Sequence, residues 1–170
     1  KVVFFPDSDP NFAYVYLRMP VGTDQATTNR VLKTLEARVD SVLHINYVTG
    51  KENPAVKSII TNVAVGAAEQ NSDDNFGTHS NLGKITVAFV KYNERHGVST
   101  QKYLDEIRAS VGGIPGATVT VDKEQTGPPV GKPIVVEITG DDLDTLIATS
   151  ERLKQYLVAQ NICGIEGLRS

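Results

Sequence analysis

Eight residues near the start of the chain, Phe12 to Met19, read FAYVYLRM and alternate as a strand does. Successive strand side chains point to opposite faces, so Ala13, Val15, Leu17 and Met19 share one face. Phe12, Tyr14, Tyr16 and Arg18 share the other. The first set is plain aliphatic core. The second is an aromatic stripe ending in a cation, which suits a ligand-facing surface or packing against a neighbouring subdomain.

Pro20-Val21-Gly22 stops this strand, and Thr23 or Asp24 can cap a helix after it. Val31, Leu32, Leu35, Val39, Val42 and Leu43 recur at helical spacing, which predicts a helix over about 24–46. A polar loop with Gly50 leads to a β-rich stretch, Val56 to Val65. Gly66 to Gly83 is a loop rich in Gly, Asn, Asp and Ser, long for a compact domain. A second strong strand, KITVAFVKY, follows from Lys84 to Tyr92. Ser99 or Thr100 caps a helix carrying Leu104, Ile107 and Val111, which Gly112-Gly113 ends. Ala117 to Val121 supplies a fourth strand.

The order is therefore β-α-β-β-α-β, the split β-α-β or ferredoxin-like arrangement of the α+β class, with two helices on one face of an antiparallel sheet. The aliphatic residues of the first strand must meet the helices. Its aromatic stripe then lies on the open face, with Thr118 and Thr120 of the last strand beside it.

KEQTGPPVGKP, from Lys123 to Pro133, reads as a linker. A second unit begins after it, with a strand from Ile134 to Thr139, a cap at Gly140 or Asp141, and a helix to about Ala159. The apolar stripe of that helix is Leu143, Leu146, Ile147, Leu153 and Leu157. With the start of a strand at Ile165–Leu168, this is half of a weak internal repeat. Half a repeat cannot bury its own apolar face, so it is expected to dock beside the first unit or pair with sequence beyond residue 170.

Composition excludes several classes. Lys and Arg number 17 against 20 Asp and Glu, for a net charge of −3, with no basic run of the kind that neutralises nucleic-acid phosphates. An RNA-recognition module would also put aromatics on the second strong strand, whose aliphatic run offers Phe89 alone. The single cysteine, Cys163, rules out an internal disulfide framework and reads as a small buried hydrophobe. No apolar run approaches the length of a membrane span, and no signal peptide is evident. A chain opening with Lys1 rather than Met is expected to be a segment of something longer.

Catalytic patterns are thin. His44 is expected in the last turn of the first helix, where a cation complements the dipole. His96 falls in a turn and reads as solvated. His79 shares the long loop with Asp73 and Asp74, a spacing of low specificity for a metal. No nucleophile elbow, P-loop or His-Glu-x-x-His pattern is present. The turn PVGTD also lacks the arginine of an acylphosphatase-type site. The chain reads as a non-enzyme with no cofactor.

Phe4-Phe5-Pro6-Asp7-Ser8-Asp9, a strand, and then Met19-Pro20-Val21-Gly22-Thr23 before a long helix together resemble the resistance-nodulation-division (RND) efflux transporters. In that family the pattern F-x-P-[DE]-x-[DE] followed by [LM]-P-x-G-[TS] opens the second large periplasmic loop, after the seventh transmembrane helix. Val87-Ala88-Phe89-Val90 resembles the family's central strand. GPPVGKPIVVEI, from Gly127 to Ile138, resembles the crossing from the third porter subdomain into the fourth. The resemblance covers essentially all of the chain.

It implies a porter subdomain over residues 1–130 and the first half of the next over 131–170, in a proton-driven pump of the bacterial inner membrane. This segment would face the periplasm. The proton-coupling charges of such pumps lie in transmembrane helices, outside this chain. The resemblance further implies a homotrimer, a periplasmic adaptor, an outer-membrane channel, and amphiphilic small-molecule substrates bound between the two subdomains. Tyr14, Tyr16 and Arg18 match substrate-facing positions. Phe89 aligns with a pocket position too, although its parity with Ile85 and Val87 assigns it to the core. Gly66 to Gly83 corresponds to the family's switch loop, with Phe76 its only aromatic.

Two alternatives stand beside the multidrug branch. Heavy-metal pumps of the family use methionine thioethers for soft ions, and this chain has a single methionine, Met19, expected to face the core. A free-standing ferredoxin-like binding or regulatory module is the other.

Overall fold

The computed structural model describes residues 9–69, 77–95, 97–124 and 136–160. Expectations resting on Asp73, Asp74, Phe76, His96, Cys163 and the strand start at 165–168 fall outside them. The chain divides into two compact units at Gly127–Pro128.

The first unit runs β1 (Phe12–Arg18), α1 (Gln25–Val42), β2 (Val56–Val63), β3 (Leu82–Phe89), α2 (Thr100–Ser110) and β4 (Thr118–Lys123). Its strands form one sheet in the order β2-β3-β1-β4, every neighbouring pair antiparallel. This is the ferredoxin-like arrangement expected from the element order.

Helical periodicity decides what each helix buries. Thr28, Leu32, Leu35 and Val39 recur every three to four residues along α1 and form its buried stripe, as Thr100, Leu104 and Ile107 do on α2. The apolar members of these stripes meet Ala13, Val15 and Leu17 of β1, Ile85, Val87 and Phe89 of β3, and Val121 of β4 in one core. Met19 packs against that core, as its parity requires. Gly83 admits α1 to the sheet: a Cβ there would stand 2.9 Å from Leu32 Cδ2. Arg38 of α1 joins the two helices by donating to the carbonyls of Ser110 and Gly112, 3.3 and 3.0 Å away, at the end of α2.

Both ends of α1 are satisfied locally. Asp24 accepts from the Thr27 amide at 2.8 Å, which holds its carboxyl below its ordinary value. At the other end the His44 amide donates to Ser41 and the Ile45 amide to Asp40, the paired bonds of a Schellman motif. His44 takes the left-handed position there, with φ 57°. It therefore stands beyond the helix rather than in its last turn, and its backbone terminates α1.

In the second unit α3 (Leu143–Ala159) is capped by Asp142, which accepts from the Thr145 amide and hydroxyl. Residues 136–140, expected to continue a strand, have no regular structure; Ile134 and Val135 lie outside the described residues. Strands need a hydrogen-bonded neighbour, and none pairs with this stretch among the described residues.

Candidate functional site

The cross-strand register builds the sheet face opposite the helices. Residues directly paired in an antiparallel ladder share a face. One row across the four strands is Asn62, Lys84, Tyr16 and Thr120. The next is Ile60, Thr86, Tyr14 and Asp122. Ser58, Ala88 and Phe12 form a third, and Leu82, Arg18 and Thr118 a fourth on the other side. The expected aromatic stripe is therefore assembled, with Thr118 and Thr120 beside it. Phe12 and Tyr14 stack at 6.3 Å between centroids with planes 4° apart, and Tyr14 and Tyr16 stand 6.0 Å apart.

This face is less open than the element order suggests. The Ala64 amide donates to the Leu82 carbonyl, and the Val65 amide bonds back to Val63 across Ala64. That tight turn holds Ala64 at φ 64°, a left-handed conformation costing a non-glycine residue about 1 kcal/mol. It sends the next residues over the sheet. Ala67 and Ala68 pack on Leu82 of β3, and the Thr120 hydroxyl of β4 donates to Glu69 at 3.4 Å. The segment 64–69 thus crosses β1, and Tyr16 is only 5% exposed. Tyr14 and Phe12 are half-buried and stand beyond that cover. Local alternation placed Tyr16 on the correct face but carries no information about a strap arriving from another element.

The remaining site residues are divided. Arg18 shares the face, next to Leu82, and is engaged by interactions within the fold. Phe89 does not join them. It lies on the helix side with Ile85 and Val87, 5% exposed, its ring stacked on Tyr103 at 6.2 Å. The correction follows from period-2 geometry: Phe89 differs in parity from Lys84, Thr86 and Ala88. Phe76 lies outside the described residues.

Two residues were missed in the sequence. Lys84 stands in the central strand between Asn62 and Tyr16, half-buried, and burial pushes its ammonium below its ordinary value. Its signal was present, since it precedes Ile85 in an alternating strand, but a single lysine at a strand start reads as solvated. Arg95 is the other. The residue is 3% exposed, and its guanidinium donates to the carbonyls of Val90 and Asp9, the Thr100 hydroxyl and the Asn11 side chain. It ties the residues before β1 to the start of α2. Nothing in the polar run YNERHG distinguishes it.

A cleft of about 520 Å³ lies elsewhere, at the end of α1, lined by residues including Asp40, His44, Asn46, Tyr47 and Lys51. Burial, reinforced by Glu36, raises the Asp40 carboxyl above its ordinary value, and burial with these two carboxylates raises the Tyr47 hydroxyl. Among the described residues no three His, Cys, Asp or Glu side chains converge to hold a metal. No helix among them is long and apolar enough to cross a membrane.

No family model matches the chain, and no curated protein matches it. Among solved structures it is similar to a heavy metal efflux pump in two crystal forms. In form II the identity is 16% over 71% of this chain and 11% of that one, with a TM-score of 0.47. In form I the identity is 15% over 68% and 10%, with a TM-score of 0.45. The chain thus spans about a tenth of the length of these structures.

Proposed function

We propose that this chain is a substrate-handling piece of the porter region of a proton-driven RND efflux pump, non-enzymatic in itself, whose substrates are amphiphilic small molecules. One observation carries the reading. An aromatic stripe, Phe12–Tyr14–Tyr16, stands on the sheet face turned away from the helices, and a strap from the β2–β3 connection covers one end of it. Stacked rings give a rigid apolar surface for flat or greasy ligands, and flanking polar groups orient them. The sequence pattern around Pro6 and Pro20, followed by a ferredoxin-like unit and a separate helical unit, supports the same family.

On this reading the segment faces the periplasm of a membrane-embedded homotrimer, joined to an adaptor and an outer-membrane channel. A heavy-metal cargo, as the two similar structures are described, would call for convergent soft ligands. Met19, the single methionine, packs on the helix side of the sheet, away from the stripe.

The test is a titration of the isotopically labelled chain with amphiphilic dyes and, separately, with Cu(I). Dye-induced amide shifts at Phe12, Tyr14 and Ile60 are expected. Shifts confined to Met19 and the histidines on adding Cu(I), with none from the dyes, would overturn the amphiphile reading.

A further inference from the structure

We propose that Lys84 and the trough beside it seat an amphiphile with an anionic head, the apolar body lying along β3 and the head on the lysine ammonium. The inference rests on the reading of this face as a substrate surface and names the class of substrate it takes.

The trough follows from the register. On this face β3 offers small residues, Thr86 and Ala88, while its neighbours carry large ones: Ile60 on β2, and Tyr14 and Phe12 on β1. Strands lie about 4.8 Å apart, so large side chains on both flanks wall a channel over the small ones. Ala88 at its floor is only 7% exposed, whereas Ile60 on the wall is 54% exposed. One wall is aromatic and stacked, and the other aliphatic. A body that fills this channel removes apolar area from water at roughly 25 cal/mol per Å².

Lys84 lies at one end of the channel, next along β3 on the same face. Its stem runs beside Tyr16, and no described residue places an acceptor within hydrogen-bond or ion-pair distance of its ammonium. A partly desolvated cation attracts an anion more strongly than a solvated one, and burial already disfavours its charged form. Arg18, the other cation of this face, is engaged within the fold and stands beside Leu82, where the strap packs. The carboxylates of the face, Glu69, Asp122 and Glu124, belong to the β4 side, beyond the aromatic wall; Glu124 stands opposite Phe12, at the end of the channel away from Lys84. At the Tyr16 end of the channel an anionic head therefore meets a half-buried ammonium, whereas Lys57, in the β2 bulge at the Ala88 end, is exposed to solvent.

Cholate and its uncharged methyl ester share one body and differ in the head. Amide shifts of the 170-residue chain on titration with each, below micelle formation, give the two affinities. We expect both to perturb Tyr14, Thr86 and Ile60, with cholate binding about ten-fold tighter, as a charge-assisted hydrogen bond supplies. Lys84→Gln should abolish that preference while leaving the ester's affinity unchanged, and Lys84→Arg should keep it. Equal affinities in the parent chain, or a preference that survives Lys84→Gln, overturn the role of Lys84 and leave the substrate face standing. If neither compound perturbs these strands, the reading of the face falls and this inference with it.

Discussion

Helices α1 and α3 start alike and are used differently. Each has an aspartate N-cap, Asp24 or Asp142, accepting from a threonine amide three residues on. Each carries leucines at helical spacing. Yet α1 buries four side chains under a sheet, and α3 buries none; its Leu143, Ile147, Tyr156 and Val158 are all exposed. Caps and periodicity specify that a helix forms and which side is apolar. Stability comes from what covers that side, because tertiary burial and not propensity carries most helices. The first unit supplies a four-stranded sheet, whereas the described part of the second supplies only the irregular 136–140 stretch, from which Gly140 approaches Leu146.

The largest test of this contrast pairs two truncations. Leu35→Ala opens a cavity in the core of the first unit and should cost about 2–5 kcal/mol in urea unfolding. Leu153→Ala on the half-buried stripe of α3 should leave the midpoint of that transition unchanged. Equal losses would mean that α3 shares the core, and the contrast would collapse. Native-state hydrogen exchange should agree, with α1 amides protected to the global limit and α3 amides exchanging far sooner.

A smaller effect is expected at Gly83. Gly83→Ala pushes a methyl against the end of the Leu32 side chain, which must shift within the fully buried core, so about 1 kcal/mol should be lost. Leu32→Ala in the same chain should recover part of it. Without that recovery, the close approach of α1 to β3 is not what the glycine serves.

The smallest effects separate the helices by pH. Asp24 and Asp142 both have carboxyls held below the ordinary 3.8, so their stabilisation is present above that value and fades as pH falls through the folded value. Asp24→Ala and Asp142→Ala should each lower helix content at neutral pH, a loss that disappears in acid. Asp40, inside α1, behaves oppositely. Burial and Glu36 raise its carboxyl above 3.8, so the native state keeps a proton that the unfolded chain has already lost, and stability falls as pH rises from there. Asp40→Asn should therefore raise the thermal midpoint slightly at pH 7 and not at pH 3. A midpoint lowered at pH 7 would show that the Asp40 charge is satisfied by a partner.

Much of the fold was legible because its signals are short-range. The alternation of FAYVYLRM set both faces of β1, and the stripe Leu32, Leu35 and Val39 set the inner side of α1. The same parity argues against Phe89 as a surface residue, and where family alignment and parity disagreed, parity was right about its side of the sheet. The strand expected before α3 shows the limit of such reasoning: Val136, Glu137 and Ile138 suit a strand, but sequence alone does not supply one with a neighbour.

What the sequence by itself determined is the order of elements, the side each apolar residue takes and the presence of an aromatic stripe. These depend on side-chain spacing and local hydrogen bonds, which a few consecutive residues specify. Only the tertiary structure decided that residues 64–69 cross β1 and bury Tyr16, that Arg95 is a buried tie rather than a solvated charge, and that Lys84 stands half-buried between Asn62 and Tyr16. Each of these joins residues far apart along the chain. Their meeting is fixed by strand order and register, which no local pattern encodes.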